Sequence, residues 1–302
     1  MRFLTLPTAG FTPLLVVTLL LAGCSATATP AVKDGVVQVV AIENVWGDIA
    51  AQIGGTHVKV TSILKDPGTD PHTFETDPAT ASAVGGAAFV IENGAGYDDF
   101  ADKLLDASPR KDREVLSIAK LVGAASGTSN PHLWYSPTYV TKAARTIAER
   151  LTAAAPSARA SFDAGLATFL ASYQRYADVL EQIKAKHAGA PVGYTERVPG
   201  YLVEAAGLRL ATPASFSQSV EDGNDPSPAD VQAVDDAMTG RTVKVLLYNA
   251  QVTSPVTAKV QQLARAAGVP VVGVSETIPA SAKDFQDWQL AQAQAVLAAL
   301  GG

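Results

Sequence analysis

The chain has 302 residues, enough for about two domains at ~150 residues each, which excludes a peptide hormone, a knottin or a single small module. Hydrophobic residues make up 47% and charged residues 17%, with 24 Gly and 18 Pro, so the bulk is globular rather than disordered or collagen-like. Lys plus Arg number 23 against 29 Asp plus Glu; a net charge of -6 without a basic cluster argues against a nucleic-acid partner.

Arg2 is the only charged residue ahead of a largely apolar run from Phe11 to Ala22, which closes on Leu21-Ala22-Gly23-Cys24. The run is about 12 residues long, short of the ~20 that cross a bilayer as a helix. This pattern predicts an export signal over residues 1–23, cut before Cys24. Cys24 is the chain's single cysteine, so an internal disulfide and a Cys-rich metal site are both excluded. The tetrapeptide resembles the lipobox of bacterial lipoproteins, in which the thiol carries a lipid; an ordinary secretory signal is the alternative. Residues 24–34 are small and polar with Pro30, as suits a flexible tether.

After the tether, Gln38-Val39-Val40-Ala41-Ile42 and Val58 to Leu64 are β-branched runs separated by Val45 to Ile53, whose apolar residues recur at helical spacing. Ala87 to Ile91 and Val115 to Ile118 repeat the strand pattern, with Asp77-Pro78 starting a helix. Ser136-Pro137 starts another, through Leu151. Pro156 to Lys186 reads as one helix of about 30 residues, ~45 Å at 1.5 Å per residue, longer than one lobe needs. It predicts a stiff connector and small hinge motion. Strands at Ala190 to Tyr194, Val243 to Tyr248 and Val269 to Val274 follow, with helices between them and a last helix from Ala282 to Leu300. Ser227-Pro228-Ala229-Asp230 has the form of a capping box. The predicted fold is therefore α/β, with two lobes of mainly parallel sheets flanked by helices and joined by one long helix. The boundaries are 35–154 for the N-terminal lobe, 155–188 for the connecting helix and 189–302 for the C-terminal lobe.

Chemistry-bearing residues fall at the ends of these strands, where ligands of open α/β sheets bind. His72 lies in the turn-rich loop after Leu64, and His132 in Asn130-Pro131-His132-Leu133-Trp134, read as also following a strand. Glu196 follows Val192-Gly193-Tyr194, and Glu276 follows Val271 to Val274. Two neutral imidazoles and two carboxylates balance a divalent cation, and the donor set suits zinc, manganese or ferrous iron. Singly, each of the four has a plainer reading as a surface or solvated loop residue. His57 and His187 read as a surface residue and a helix-end residue, and Glu221-Asp222-Gly223-Asn224-Asp225 as a solvated turn without EF-hand spacing. Gly94-Ala95-Gly96 lacks the third glycine of a dinucleotide fingerprint.

With these residues in place, the chain from about Gln38 onward resembles the metal-binding receptors of bacterial ABC importers, the zinc/manganese substrate-binding lipoproteins. Asp70-Pro71-His72-Thr73-Phe74-Glu75 is similar to the family's first histidine loop, and Asn130 to Trp134 to its second. Glu196 with Gly200-Tyr201-Leu202 and Ala206-Gly207-Leu208 is similar to the third ligand segment. Glu276 stands where many members have aspartate. The resemblance implies one divalent ion (Zn²⁺ or Mn²⁺, with Fe²⁺ also admitted) held in the cleft between the lobes by His72, His132, Glu196 and Glu276. It implies delivery to a permease driven by a separate ATPase chain, from a monomer tethered by a lipid at Cys24 to the outer face of the cytoplasmic membrane. It further implies that the chain is not an enzyme. The chain's four histidines leave no room for the long His-rich loop of many zinc-specific members. A secreted metal-dependent hydrolase and a surface adhesin with a structural metal are the competing readings.

Overall fold

The computed structural model describes residues 1, 32–33, 35–66, 74–127 and 129–302. The signal, Cys24 and His72 lie outside the described residues. Among those described, no helix is long and apolar enough to cross a membrane.

The first sheet is built from β1 (Val32–Lys33), β2 (Val36–Glu43), β3 (Val58–Leu64), β4 (Phe89–Glu92) and β5 (Glu114–Ser117). β2 pairs in parallel with β3 and β4, β4 pairs in parallel with β5, and β1 runs antiparallel to the start of β2. Helices α1 (Asn44–Gly54), α2 (Pro78–Gly86), α3 (Phe100–Ala107) and α4 (Ile118–Val122) connect and flank these strands, and α5 (Pro137–Ala154) follows.

The second sheet has the all-parallel order β7-β6-β8-β9, from β6 (Pro191–Tyr194), β7 (Arg209–Leu210), β8 (Val245–Asn249) and β9 (Val271–Val274). Around it stand α7 (Gly200–Ala205), α8 (Ala214–Glu221), α9 (Pro228–Thr239), α10 (Pro255–Ala267) and α11 (Phe285–Ala299). Between the sheets runs α6 (Arg159–His187), 29 residues long. At 1.5 Å per residue it spans roughly 44 Å.

Parallel strands need cover on both faces, and the central ones have it. All five residues of β8 are buried, and they alternate: Val245 and Leu247 face the main core, while Leu246 faces a smaller one formed by Phe216, Val234, Met238 and Val260. The main core is continuous between the sheets, joining Ile42, Trp46 and Phe89 to Trp134, Phe169, Tyr176, Val192 and Phe285. Along α6, Phe169, Tyr173 and Tyr176 form a stacked aromatic row, and Phe285 of α11 packs against Phe169 and Tyr173. The connector is thus glued into the core rather than exposed between two bodies.

Four helices begin with the same grammar, a polar N-cap followed by proline at the first helical position: Asp77-Pro78, Ser136-Pro137, Ser227-Pro228 and Ser254-Pro255. The cap side chain accepts the third residue's free N–H while proline wastes no donor. Three expectations need correction. At Ser227 the box is not reciprocal, since Asp230 takes the Ser227 and Ser215 hydroxyls; the two-way box forms at Ser254 and Thr257. α6 starts at Arg159, after a 3-10 turn at Pro156–Ala158. His132 does not follow a strand directly, because α4 and a loop come between it and β5.

Where α6 crosses the end of α1, a Cβ on Gly165 would lie 2.5 Å from the Ile53 carbonyl oxygen. Alanine in a helix interior normally gains about 1 kcal/mol over glycine. Here the neighbour is backbone and cannot turn aside, so overpacking at about 1–3 kcal/mol outweighs the gain. Gly165→Ala is expected to lower the urea midpoint, and a raised midpoint would show that the helices separate freely.

Candidate metal site

Three of the four anticipated residues meet at the carboxyl ends of the strands, and all three are buried: His132, Glu196 and Glu276. His132 comes from the loop ahead of α5, Glu196 from the loop after β6, and Glu276 from the loop after β9. His132 Nε2 is 3.3 Å from Glu276 Oε2. The Tyr97 hydroxyl donates to the same oxygen at 2.9 Å.

Asn249, the last residue of β8, sets the distance between the two carboxylates. Its Nδ2 donates to Glu196 Oε2 and to Glu276 Oε1, both at 2.8 Å. The amide cannot be turned the other way round, since Asn249 Oδ1 accepts the Gln251 N–H. Glu196 Oε1 is left buried without a hydrogen-bond partner among the described residues. Also among the described residues, no three His, Cys, Asp or Glu side chains converge closely enough to hold an ion. The amide nitrogen stands between the carboxylates, and His72 lies outside the residues described.

His132 is held in one tautomer. Its Nδ1 is 2.8 Å from Asn130 Oδ1, which has no proton to give, so Nδ1 carries the hydrogen and Nε2 faces Glu276. The Asn130 amide is itself oriented, because Nδ2 donates to the Arg197 carbonyl at 2.7 Å. That bond crosses from one lobe to the other. Gly200 permits it: a Cβ there would sit 2.6 Å from Asn130 Nδ2. Tyr201, next in sequence, donates to the Asn130 carbonyl at 2.9 Å.

Arg197 is fixed in turn by Glu221, which accepts from its backbone N–H, its Nε and, at 2.6 Å, its Nη2. Glu221 is therefore a buried ion-pair partner and not part of a solvated turn; Asp222 to Asp225 after it are exposed. On the opposite wall, Trp134 and Tyr97 pack edge-on against His132, with ring centroids 5.4 and 5.6 Å away. Asn93 braces the Tyr97 loop by accepting from Trp46 Nε1 and donating to the Pro131 carbonyl. The loop itself passes through positive φ at Gly94, Ala95 and Gly96.

Chemically equal groups behave differently in this setting. Burial pushes the Glu196 carboxyl up to about 7, only partly offset by the Asn249 hydrogen bond. Burial also works on Glu276, but there His132, Tyr97 and Asn249 outweigh it and bring the group down to about 2. For His132, burial favours the neutral ring, while Glu221, Glu276 and Glu196 together raise it above the ordinary histidine value. His132 and Glu276 form an ion pair whenever the ring is protonated.

Tyr97, Asn130, Asn249 and the Arg197–Glu221 pair are the parts that the sequence reading missed. A polar residue ending the apolar run Val-Leu-Leu-Tyr was the available signal for Asn249. His57 packs edge-on against Phe162, and His187 ends α6; neither has a bond to these residues.

Residues 39–299 match the family described as zinc-uptake complex component A, periplasmic. Among relatives, the manganese-binding lipoprotein MntA of Bacillus subtilis is 30% identical over 125 residues, covering 39% of this chain and 40% of that protein. The iron ABC transporter substrate-binding lipoprotein MtsA of Streptococcus pyogenes is 25% identical over 168 residues, covering 52% and 54%. The chain thus spans about half the length, or less, of these relatives. In fold it is similar to the periplasmic zinc-binding protein TroA of Treponema pallidum, with a TM-score of 0.74 at 15% identity, over 89% of this chain and all of that one. A manganese-bound periplasmic metal-binding protein of Candidatus Liberibacter asiaticus gives a TM-score of 0.72 at 17% identity, over 87% and 99%. With most of its length covered by the family match, this chain belongs to the family of periplasmic component A of zinc-uptake complexes.

Proposed function

We propose that the chain is an extracytoplasmic receptor that captures one divalent transition-metal ion and hands it to an ABC import permease with a separate ATPase. Cys24 is the lipid attachment point that keeps it at the outer face of the cytoplasmic membrane, and it works as a monomer. The ligands are His132, Glu196 and Glu276, with His72 as the fourth from its place in the Asp-Pro-His loop. Of these, Glu276 departs from the aspartate that many members carry.

The observation that carries this reading is the buried Glu196 Oε1, without a partner among the described residues, on a carboxylate whose other oxygen shares the Asn249 amide with Glu276. A buried oxygen without a donor is costly in a protein interior, and a cation supplies what is lacking. The chemistry of the set agrees: imidazole nitrogen plus carboxylate oxygen suits zinc, manganese and ferrous iron alike. The relatives' names divide in the same way, between manganese and iron. Two carboxylates and two neutral imidazoles cancel the charge of the ion, so the loaded site is neutral and tolerates burial.

Elemental analysis of the full chain, purified in detergent without added metal, followed by Zn²⁺, Mn²⁺ and Fe²⁺ titration of the stripped protein, tests the proposal. One ion per chain, bound reversibly with the fold intact, is expected. Uptake of none of the three overturns it, and an ion that leaves only on unfolding points to a structural metal instead. His132→Ala is expected to weaken binding at least ~10-fold, whereas His187→Ala leaves it unchanged; equal losses would put the site elsewhere.

Binding must also depend on pH, because an ion displaces protons from its donors. His132 is raised above the usual histidine value and Glu196 lies at about 7, so both take up protons as pH falls below neutrality. Protons then compete with the ion, and affinity drops. A fall of roughly 10-fold or more between pH ~8 and ~6 is expected in isothermal titrations. A flat profile would remove both residues from the site.

A further inference from the structure

We infer that Glu43 is a proton-bearing acid that donates a hydrogen bond to Asp98 and so holds Tyr97 against Glu276, as a positioning residue of the proposed metal site and not a ligand. Its effect on ion binding rests on that site; its proton does not.

Glu43 is the last residue of β2, at the carboxyl edge of the first sheet, and is buried. Among the described residues, no N–H or O–H donates to either of its oxygens. The group it touches is another acid, the buried Asp98 carboxyl. Two facing carboxyl groups bond only when one of them carries a proton. Asp98 is the anion of the two, because its Oδ2 takes the Asn93 N–H at 2.8 Å and its Oδ1 the Gly94 N–H at 2.7 Å. Glu43 has no such donors and keeps the proton. The other titratable groups beside it are Glu92, which is paired with Lys120 at 3.8 Å, and Tyr97. Burial, followed by the charge of Asp98, raises Glu43 well above the usual carboxylate value, whereas for Asp98 the Gly94, Glu43 and Asn93 bonds oppose burial.

Asp98 ties down a turn that its own residues resist. Gly94, Ala95 and Gly96 have φ of 74°, 58° and 85°, and the Cβ of Ala95 disfavours that region. The Asp98 carboxylate grips the start of the turn through the Asn93 and Gly94 N–H groups, and the Tyr97 N–H closes it on the Gly94 carbonyl. From there the Tyr97 hydroxyl crosses to Glu276 Oε2 in the other lobe. An ionised Glu43 would set two buried anions against each other and drive Asp98 off the turn. A neutral Glu43 instead gives Asp98 a further donor and adds no charge, and a hydrogen bond to a charged acceptor is a strong one.

Infrared spectra of the full chain in detergent, wild type against Glu43→Gln, test the proton directly. At pH ~9, above the range in which Glu196 titrates, a protonated-carboxyl C=O band is expected in the wild type and is expected to vanish in the variant. No such difference would overturn the inference. The positioning role is read from the ¹³Cζ resonance of Tyr97, assigned with Tyr97→Phe, and from Zn²⁺ and Mn²⁺ affinity. Glu43→Ala is expected to shift the resonance and weaken binding ~10-fold, the scale for removing an outer partner of metal ligands. Glu43→Gln still donates to Asp98 and is expected to restore both. A loss in Glu43→Gln as large as in Glu43→Ala would mean that Glu43 acts through a negative charge, and no change in Glu43→Ala would mean that Tyr97 does not depend on it; either result overturns the inference. Should Glu43→Ala fail to fold, the infrared band and the behaviour of Glu43→Gln decide. A wild-type chain that takes up neither ion removes the receptor reading, while the band and the Tyr97 resonance still decide whether Glu43 holds the turn.

Discussion

The organising constraint of this molecule is the burial of two carboxylates within hydrogen-bond reach of one amide nitrogen. Glu196 and Glu276 carry the same chemical group, and an interior that merely sequestered both would charge a heavy electrostatic penalty. Asn249 lessens it with one hydrogen to each, and Tyr97 and His132 stand against Glu276 Oε2. The surrounding architecture keeps Asn249 and the two glutamates where they are. β8 delivers Asn249, β6 and β9 on either side of it deliver the glutamates, and parallel order puts all three loops at the same edge of the sheet.

Ties between the lobes are mostly asparagine and tyrosine. Asn130 joins the His132 ring to the Arg197 carbonyl, Tyr97 reaches Glu276, Tyr135 reaches the Ser275 carbonyl, and Asn44 pairs with both the N–H and the carbonyl of Ile278. Each such bond contributes about 1 kcal/mol net. Their number matters less than their placing, since Ser275 and Ile278 bracket Glu276. Together with the continuous core under α6, they oppose wide separation of the lobes. The long helix reads as a strut in the same sense, with an apolar face of Phe162, Phe169, Tyr173 and Tyr176 sunk into both halves.

The strands and helix starts were legible because each rests on a local rule. β-branched runs give β2 and β3, and a polar cap before proline gives α2, α5 and α9. Glu196 and Glu276 were legible as polar residues beyond apolar runs, whereas His132, read the same way, is separated from β5 by α4 and a loop. What stayed hidden depends on partners distant in the chain. Tyr97 sits in Gly94-Ala95-Gly96-Tyr97, which by itself shows only a turn, and its partner is 179 residues away. Glu221 looks like the first residue of an acidic turn until Arg197, 24 residues earlier, is folded against it. Asn249 ends a strand as many polar residues do, and its two carboxylate partners come from different loops. No spacing rule could join them.

The two glutamates also divide the work of meeting an ion. Glu276 has three partners in Tyr97, Asn249 and His132, is pulled down to about 2, and is already charged. Glu196 has only Asn249 and is held up near 7 by burial. An arriving dication therefore finds one anion fixed in place and a second carboxyl that becomes an anion by releasing a proton. The first attracts the ion without having to move. The second has one oxygen not yet spoken for, and its charge is completed only when a cation is there to stabilise it. Had both been charged in advance, the interior would carry their repulsion; had both been neutral, nothing would draw the ion in. The asymmetry follows from burial set against unequal numbers of hydrogen-bond partners, and Asn249 is the one partner that the two glutamates share.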